Sequence, residues 1–203
     1  MNIRPATPRD APAAARLLAL SMGSFGDAFF GFGNPAHAVQ ALEKLFTFPN
    51  HRLSYGFTWL AELEGEIAGL LLAFPGKKGT ALSLGMSRPL LAVYTLWGTL
   101  RLAWQSLAML SDKEAEADEF YISNLAVRPD LQRRGIGRAL LTHAEALAHE
   151  ERLEKCSLIV DLANETAIRL YERLGFRLVS TTHTPWMVKH FHTSGHQRRV
   201  KSL

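Results

Sequence analysis

A chain of 203 residues with 47% hydrophobic and 21% charged side chains has the composition of a folded domain, not of a disordered or fibrous segment. Its one cysteine, Cys156, excludes an internal disulfide framework and a cysteine-rich zinc site. A formal charge of +4 suits an anionic ligand, while the lack of aromatic–basic interleaving or of a recognition-helix pattern argues against nucleic acid as the partner.

Residues 3–5 read as a short opening strand. Thr7 and Asp10 then offer N-caps for a helix to about Leu20, with Ala14, Leu17, Leu18 and Ser21 along one stripe. Residues 1–10 lack the apolar core of a secretory leader, so a cytoplasmic setting is expected. Residues 23–35, rich in Gly and Phe, read as an irregular loop, and 36–46 as a second helix bounded by Pro35 and Pro49. Two strands, 57–63 and 66–74, flank Glu64-Gly65, a hairpin signal. Residues 77–88 read as a loop. A long apolar stretch at 89–110 has helical spacing, with Tyr94, Trp97 and Trp104 near one face and Arg101 between them. Arg101 and Gln105 interrupt it, which argues against a membrane span, and no membrane partner is expected. The stretch is expected to be an inserted helix, at about 88–112, that packs on the core. A lid over a substrate site and a contact across a homodimer are the alternatives. Arg101, four residues after Trp97 and three before Trp104, is placed to stack on either ring.

Residues 119–127 form a strand stopped at Pro129. A strongly periodic helix covers 137–151, with Ile136, Leu140, Leu141, Ala144 and Leu147 on one face. An apolar strand follows at 156–160, then a short helix from Asn164 to Leu174 ended by Gly175, and strands at 176–180 and 186–191. Strands and helices alternate without a linker, so a single domain over 1–191 is expected, with 192–203 as a solvated basic tail containing Arg198, Arg199 and Lys201. His190, His192 and His196 have no carboxylate or cysteine nearby and are assigned to that polar tail, so no metal is expected. Cys156, in an apolar strand, is expected to be a small core residue, not an acyl-carrying nucleophile.

The chemistry concentrates where the 119–127 strand enters the following helix. Gln132-Arg133-Arg134-Gly135-Ile136-Gly137-Arg138 sits at the helix start, where free backbone N–H groups and the helix dipole favour an anion. Gly135 and Gly137 let a phosphate approach the backbone, and Arg133, Arg134 and Arg138 add positive charge. A P-loop would need Gly-Lys-Ser/Thr here. A dinucleotide fingerprint would need a third small residue where Leu140 stands.

The segment resembles motif A of the GNAT superfamily of N-acetyltransferases, whose Gln/Arg-x-x-Gly-x-Gly/Ala signature is matched by 132–137. Asn124-Leu125-Ala126-Val127-Arg128-Pro129 resembles the family's lead-in strand, and Asn164, Ala167, Tyr171 and Gly175-Phe176 resemble its motif B. The resemblance implies an α/β fold: a central, mostly antiparallel sheet with one splayed parallel pair, flanked by helices. It also implies acetyl-CoA as co-substrate and a small-molecule or peptide amine as acceptor. Amides of Gln132, Arg133, Arg134, Gly135, Ile136, Gly137 and Arg138 would bind the pyrophosphate. Leu125, Ala126 and Val127 would pair with the pantetheine arm, with a backbone N–H near Leu125 polarising the thioester carbonyl. Asn164 would hold the pantetheine or order water, and Tyr171 would protonate the departing thiolate. The ribosomal-protein N-terminal acetyltransferases are similar in both motifs but carry a Glu five residues before the Asn, where Ile159 stands here; this argues against a ribosomal-protein acceptor.

Direct attack on a thioester needs a neutral amine, whose free pKa is near 10, so a base or a water chain must take a proton. Asp118, Glu119 and Glu62 are the candidates, and Glu119, at the start of the central strand, is taken as the catalytic base. Two further readings keep the fold: transfer from a longer acyl-CoA, and a catalytically silent acyl-CoA-binding domain.

Overall fold

The computed structural model describes residues 1–107, 114–183 and 195–203. Among them, seven strands form one sheet in the order β1-β2-β3-β4-β5-β7-β6. The strands are β1 (Asn2–Pro5), β2 (Thr58–Leu63), β3 (Glu66–Pro75), β4 (Glu119–Val127), β5 (Lys155–Asp161), β6 (Arg177–His183) and β7 (Gly195–Ser202). Every neighbouring pair is antiparallel except β4 and β5, which run parallel. The expected mixed sheet with one parallel pair is therefore present.

Each face of the sheet carries a separate apolar layer. On one side lie α1 (Ala11–Phe30), α2 (Pro35–Phe46), α3 (Gly79–Leu84), α4 (Ser87–Val93) and α5 (Leu96–Leu107). Leu18, Leu42, Phe46, Leu60, Leu70, Leu72 and Phe74 fill that layer. On the other side lie α6 (Ile136–Glu150) and α7 (Glu165–Arg173), packed through Ile136, Leu140, Ala144, Leu71, Ile122, Leu158 and Phe176. Leu140 is fully buried, and truncating such a side chain to Ala costs about 2–5 kcal/mol.

Local chemistry explains most boundaries. Asn34 caps α2 by accepting from the amides of Ala36 and His37, with Pro35 pre-set for the first helical position. Glu64 and Gly65 both have positive φ, 55° and 85°, as a two-residue hairpin turn of the right twist requires. Gly175 (φ 89°) ends α7 by turning the chain into the left-handed region.

Four elements differ from the sequence-based expectation. First, residues 24–30 are helical: α1 continues past a break at Gly23, whose φ and ψ of 56° and −142° are open to glycine alone. Second, the expected loop at 77–88 contains α3. Third, the expected long helix is two, because Tyr94 is extended (φ −112°, ψ 158°) and separates α4 from α5. Fourth, the expected basic tail is β7, which lies inside the sheet between β5 and β6. Arg198 and Arg199 read as solvated because their partners, Glu119 and Glu172, are remote in the chain. Once paired, both guanidinium groups are buried. His196 belongs to β7, whereas His190, His192 and the strand expected at 186–191 lie outside the described residues. Among the described residues no helix is long and apolar enough to cross a membrane, and no cluster of metal-ligating side chains is present.

Candidate active site

The site begins with a fault in β4. Leu72 pairs with Asn124 and Ala73 with Ile122, so Ser123 has no partner on β3. This bulge reverses the alternation of the strand. Before it, Phe120 and Ile122 face α6 and Tyr121 faces α1. After it, Leu125 and Val127 face α6 and Ala126 faces α1. The parallel ladder to β5 stops at the same point: Glu119 through Ile122 pair with Lys155 through Leu158, and neither strand pairs with the other beyond. β5 continues to Asp161 against β7 only. The two strands open into a wedge whose β4 wall is Ser123–Val127, and backbone there is free to bond an extended ligand.

At the open end of the wedge stands the anion cradle. The first helical hydrogen bond of α6 runs from the Ala139 amide to the Gly135 carbonyl. The N–H groups of Arg133 through Arg138 precede it and find no backbone acceptor among the described residues. Arg133 (φ 62°) and Gly135 (φ 81°) are both left-handed, which turns successive amides toward one centre. Gln132 braces the turn by donating from Nε2 to the Val127 carbonyl at 3.3 Å. The two glycines serve different ends. A Cβ on Gly135 would meet nothing within 4 Å, so that side faces open space where a phosphate fits. A Cβ on Gly137 would sit 3.7 Å from Leu170 and Val127, an ordinary packing distance, so that position faces its neighbours and not open space. Arg133, Arg134 and Arg138 are exposed and form no ion pair among the described residues. Arg128, by contrast, is held by Glu66 at 2.6 Å and Asp130 at 2.8 Å.

Across the wedge, Asn164 caps α7, its Oδ1 accepting from the Ala167 amide at 3.1 Å. Tyr171, two turns later, is buried against α6 and meets Phe176 edge-on at 5.8 Å. Burial pushes its hydroxyl up to about 12, so it stays protonated at neutral pH. That hydroxyl makes no hydrogen bond among the described residues and is not a sealed orphan atom, so it is available to a ligand. Cys156 is buried, its thiol also pushed up to about 12 by burial, which leaves it inert as a nucleophile.

Sequence reading missed a polar group at the bulge. Asn124 Nδ2 donates to Ser21 Oγ at 2.9 Å, Ser123 Oγ donates to Asn124 Oδ1 at 3.1 Å, and Ser21 donates to the Leu18 carbonyl. Ser21 lies on the last turn of α1 before Gly23. This group lies on the α1 side of the wedge. Nothing in the sequence links Ser21 to Asn124 across 103 residues; only the fold does.

The base candidates are placed elsewhere. Glu119 is at the opposite end of β4, about 20 Å from Leu125 at strand rise. Both its oxygens take Arg198 Nη2 at 2.6 Å, and Oε2 also accepts the Glu116 amide. Arg198 reaches the Glu114 carbonyl as well, and Glu114 pairs with Arg52 at 2.6 Å. Asp118 is bound to Lys155 and Glu62 to Arg4. The structure therefore does not bring Glu119 to the wedge. Its carboxylate closes a buried ionic network that ties β4 to β7 and to residue 114.

The site is thus a wedge between parallel strands that opens onto a glycine-lined helix start. The Acetyltransferase (GNAT) family model matches residues 25–176, and the chain belongs to that family. The [ribosomal protein bS18]-alanine N-acetyltransferase of Escherichia coli K12 is 40% identical over 70 residues, 34% of this chain and 47% of the relative, so the chain spans about half of that relative's length. An N-acetyltransferase structure from Staphylococcus aureus Mu50 superposes with a TM-score of 0.70 at 22% identity, covering 98% of this chain and 100% of that one. The PaiA N-acetyltransferase of Thermoplasma acidophilum, solved in complex with coenzyme A, superposes with a TM-score of 0.56 at 12% identity over 100% of this chain and 98% of its own.

Proposed function

We propose that the protein is an acetyl-CoA-dependent N-acetyltransferase acting directly on a primary amine of a small molecule or peptide. The observation that carries this reading is the coincidence of three features along one strand and the turn after it: the Ser123 bulge, the end of the β4–β5 ladder, and the run of amides, without backbone acceptors among the described residues, that begins six residues after Val127. Acetyl-CoA fits them in order. Its pyrophosphate meets the amides of Arg133 through Arg138, its pantetheine arm lies along Leu125–Val127, and its thioester reaches the bulge. Coenzyme A supplies a thioester, whose thiolate is a good leaving group; the chain supplies position and polarity.

The amine attacks the thioester carbonyl carbon, and a backbone N–H near Leu125 steadies the resulting oxyanion. The proton it sheds leaves through water held by Ser21, Ser123 and Asn124, since Glu119, Asp118 and Glu62 are committed to cations. As the C–S bond breaks, Tyr171 donates a hydrogen bond to the sulfur. A hydroxyl at about 12 is a weaker acid than a thiol near 8.5, so proton transfer lags behind bond cleavage and Tyr171 acts chiefly by hydrogen bonding. Asn164, with Oδ1 already used as a cap, has its amide NH2 left for the pantetheine.

The test is an acceptor screen with acetyl-CoA that detects released thiol, run beside calorimetry of coenzyme A binding. Binding with turnover of an amine supports the reading. Coenzyme A binding with no thiol release from any amine or acyl donor points to the silent domain, and release only with longer acyl-CoA points to that donor.

A further inference from the structure

α5 is folded inside out. At 100° per residue, Ala103, Leu96, Leu100, Trp104 and Trp97 occupy one continuous arc of about 120°. All five are exposed, with Trp97 81% and Trp104 76% accessible. The opposite side carries Gly98, Thr99 and Gln105 with one core residue, Leu102, and the buried Gln105 Oε1 has no hydrogen-bond partner among the described residues. A helix that hides an unsatisfied amide and shows two indoles to solvent has its polarity reversed for an aqueous surface. Leu91 on α4 and Leu84 on α3 are exposed as well.

Charge says what covers it. From Gly76 to Leu107 the chain has no acidic residue, and its charged side chains are Lys77, Lys78, Arg88 and Arg101. Lys77 and Lys78 are turned to Glu151 on the α6 side. Arg88 and Arg101 have no carboxylate in ion-pair contact among the described residues. Arg101 is held 4.6 Å from the centroid of Phe32, not on Trp97 or Trp104 as its spacing suggested, and it borders the apolar arc next to Trp97. A second copy docked on this face by a two-fold axis would set the basic α4 and α5 of the two copies against each other. Trp and Leu on one arc with Arg at its border is instead the make-up of a helix lying in the boundary of an anionic bilayer.

We propose that α4 and α5 form an interfacial docking surface for anionic phospholipid, with Leu96, Trp97, Leu100 and Trp104 embedded and Arg88 and Arg101 at the headgroups. This is attachment to a membrane surface, distinct from the span that Arg101 and Gln105 argue against. The experiment is co-sedimentation of the full chain with phosphatidylcholine vesicles and with mixed phosphatidylcholine–phosphatidylglycerol vesicles, read with tryptophan emission. Binding to mixed vesicles and a blue shift are expected. The loss should be at least ~10-fold in the double variant Trp97→Ser/Trp104→Ser, with an unchanged melting midpoint because both rings are exposed. The double variant Arg88→Glu/Arg101→Glu should lose most of the preference for the anionic vesicles. Failure to sediment with mixed vesicles overturns the proposal, as does undiminished binding by the Trp variant. Equal binding to neutral vesicles overturns the anionic assignment. Concentration-dependent dimerisation that the Trp variant abolishes, in place of vesicle binding, assigns the face to a second copy. Coenzyme A binding and turnover are read separately and do not bear on the outcome.

Discussion

The wedge and the α4–α5 segment treat polarity in opposite ways. Around β4 and α6 the unsatisfied groups are backbone amides, presented outward at a helix start where an anion can reach them. In α5 the unsatisfied group is a side-chain amide turned inward while indoles face out. One region presents polar groups to solvent, the other presents apolar rings. Either is informative because folded chains rarely leave such groups without partners.

Four measurements test how separable the two regions are. The largest effect is expected at Arg198, whose guanidinium joins β4 to the backbone at residue 114, where the chain returns from the insertion. Arg198→Ala strands Glu119 in a buried site and is expected to lower stability by about 3–5 kcal/mol in denaturant unfolding. A loss under about 1 kcal/mol would show that the two regions are not coupled through this pair. Next is Gly135→Asn. Asn tolerates the left-handed φ better than other side chains, and its bulk enters the open space beside the amides. Coenzyme A affinity should fall by about 10²-fold in calorimetry, equivalent to roughly 3 kcal/mol, with little change in melting. A β-branched residue such as Val at this position would strain the backbone at φ 81° before any ligand arrives, which is why Asn is the probe.

Tyr171→Phe keeps the edge-on contact with Phe176 and removes only the hydroxyl. Turnover is expected to drop by about 10²-fold, the low end for acid assistance, because the hydroxyl donates without fully transferring its proton. Coenzyme A affinity should be unchanged, and wild-type turnover would remove Tyr171 from the chemistry. The smallest effect lies far from both regions. Arg4 and the Thr7 cap hold the Asp10 carboxyl at about 2, below its ordinary 3.8. A depressed folded value contributes stability that is full above about pH 4 and is lost as pH falls toward 2. Asp10→Asn should flatten the acid limb of a pH–stability curve by less than about 1 kcal/mol.

What the chain announces in advance is what is local. Gly135, Gly137, Asn164 and Tyr171 sit at helix starts and on helix faces set by near neighbours, which read directly from spacing. The parallel pair and its helices followed from that motif. The elements that were misread depend on partners far away in sequence. Arg198 and Arg199 look like tail residues until Glu119 and Glu172 bury them. Glu119 looks like a base until Arg198 claims it. Ser21 and Asn124 are unremarkable polar residues until the bulge and the turn before Gly23 bring them together. Residues 24–30 look like a loop because glycine and phenylalanine dominate, yet a single glycine at φ 56° is enough to break α1 and let it resume.

The position of β7 has a consequence for how the molecule assembles. β6 is made before β7 but lies outside it, with no other strand beside it among the described residues. Nothing can therefore hold β6 in the sheet until residues 195–202 have arrived and inserted between it and β5. During synthesis the β1–β5 portion can form in order, but this last step joins segments distant in the chain and should be slow compared with the helices. Until then Glu119 lacks its counter-ion, Arg198. The sheet is thus completed by insertion of β7, not by addition at an edge.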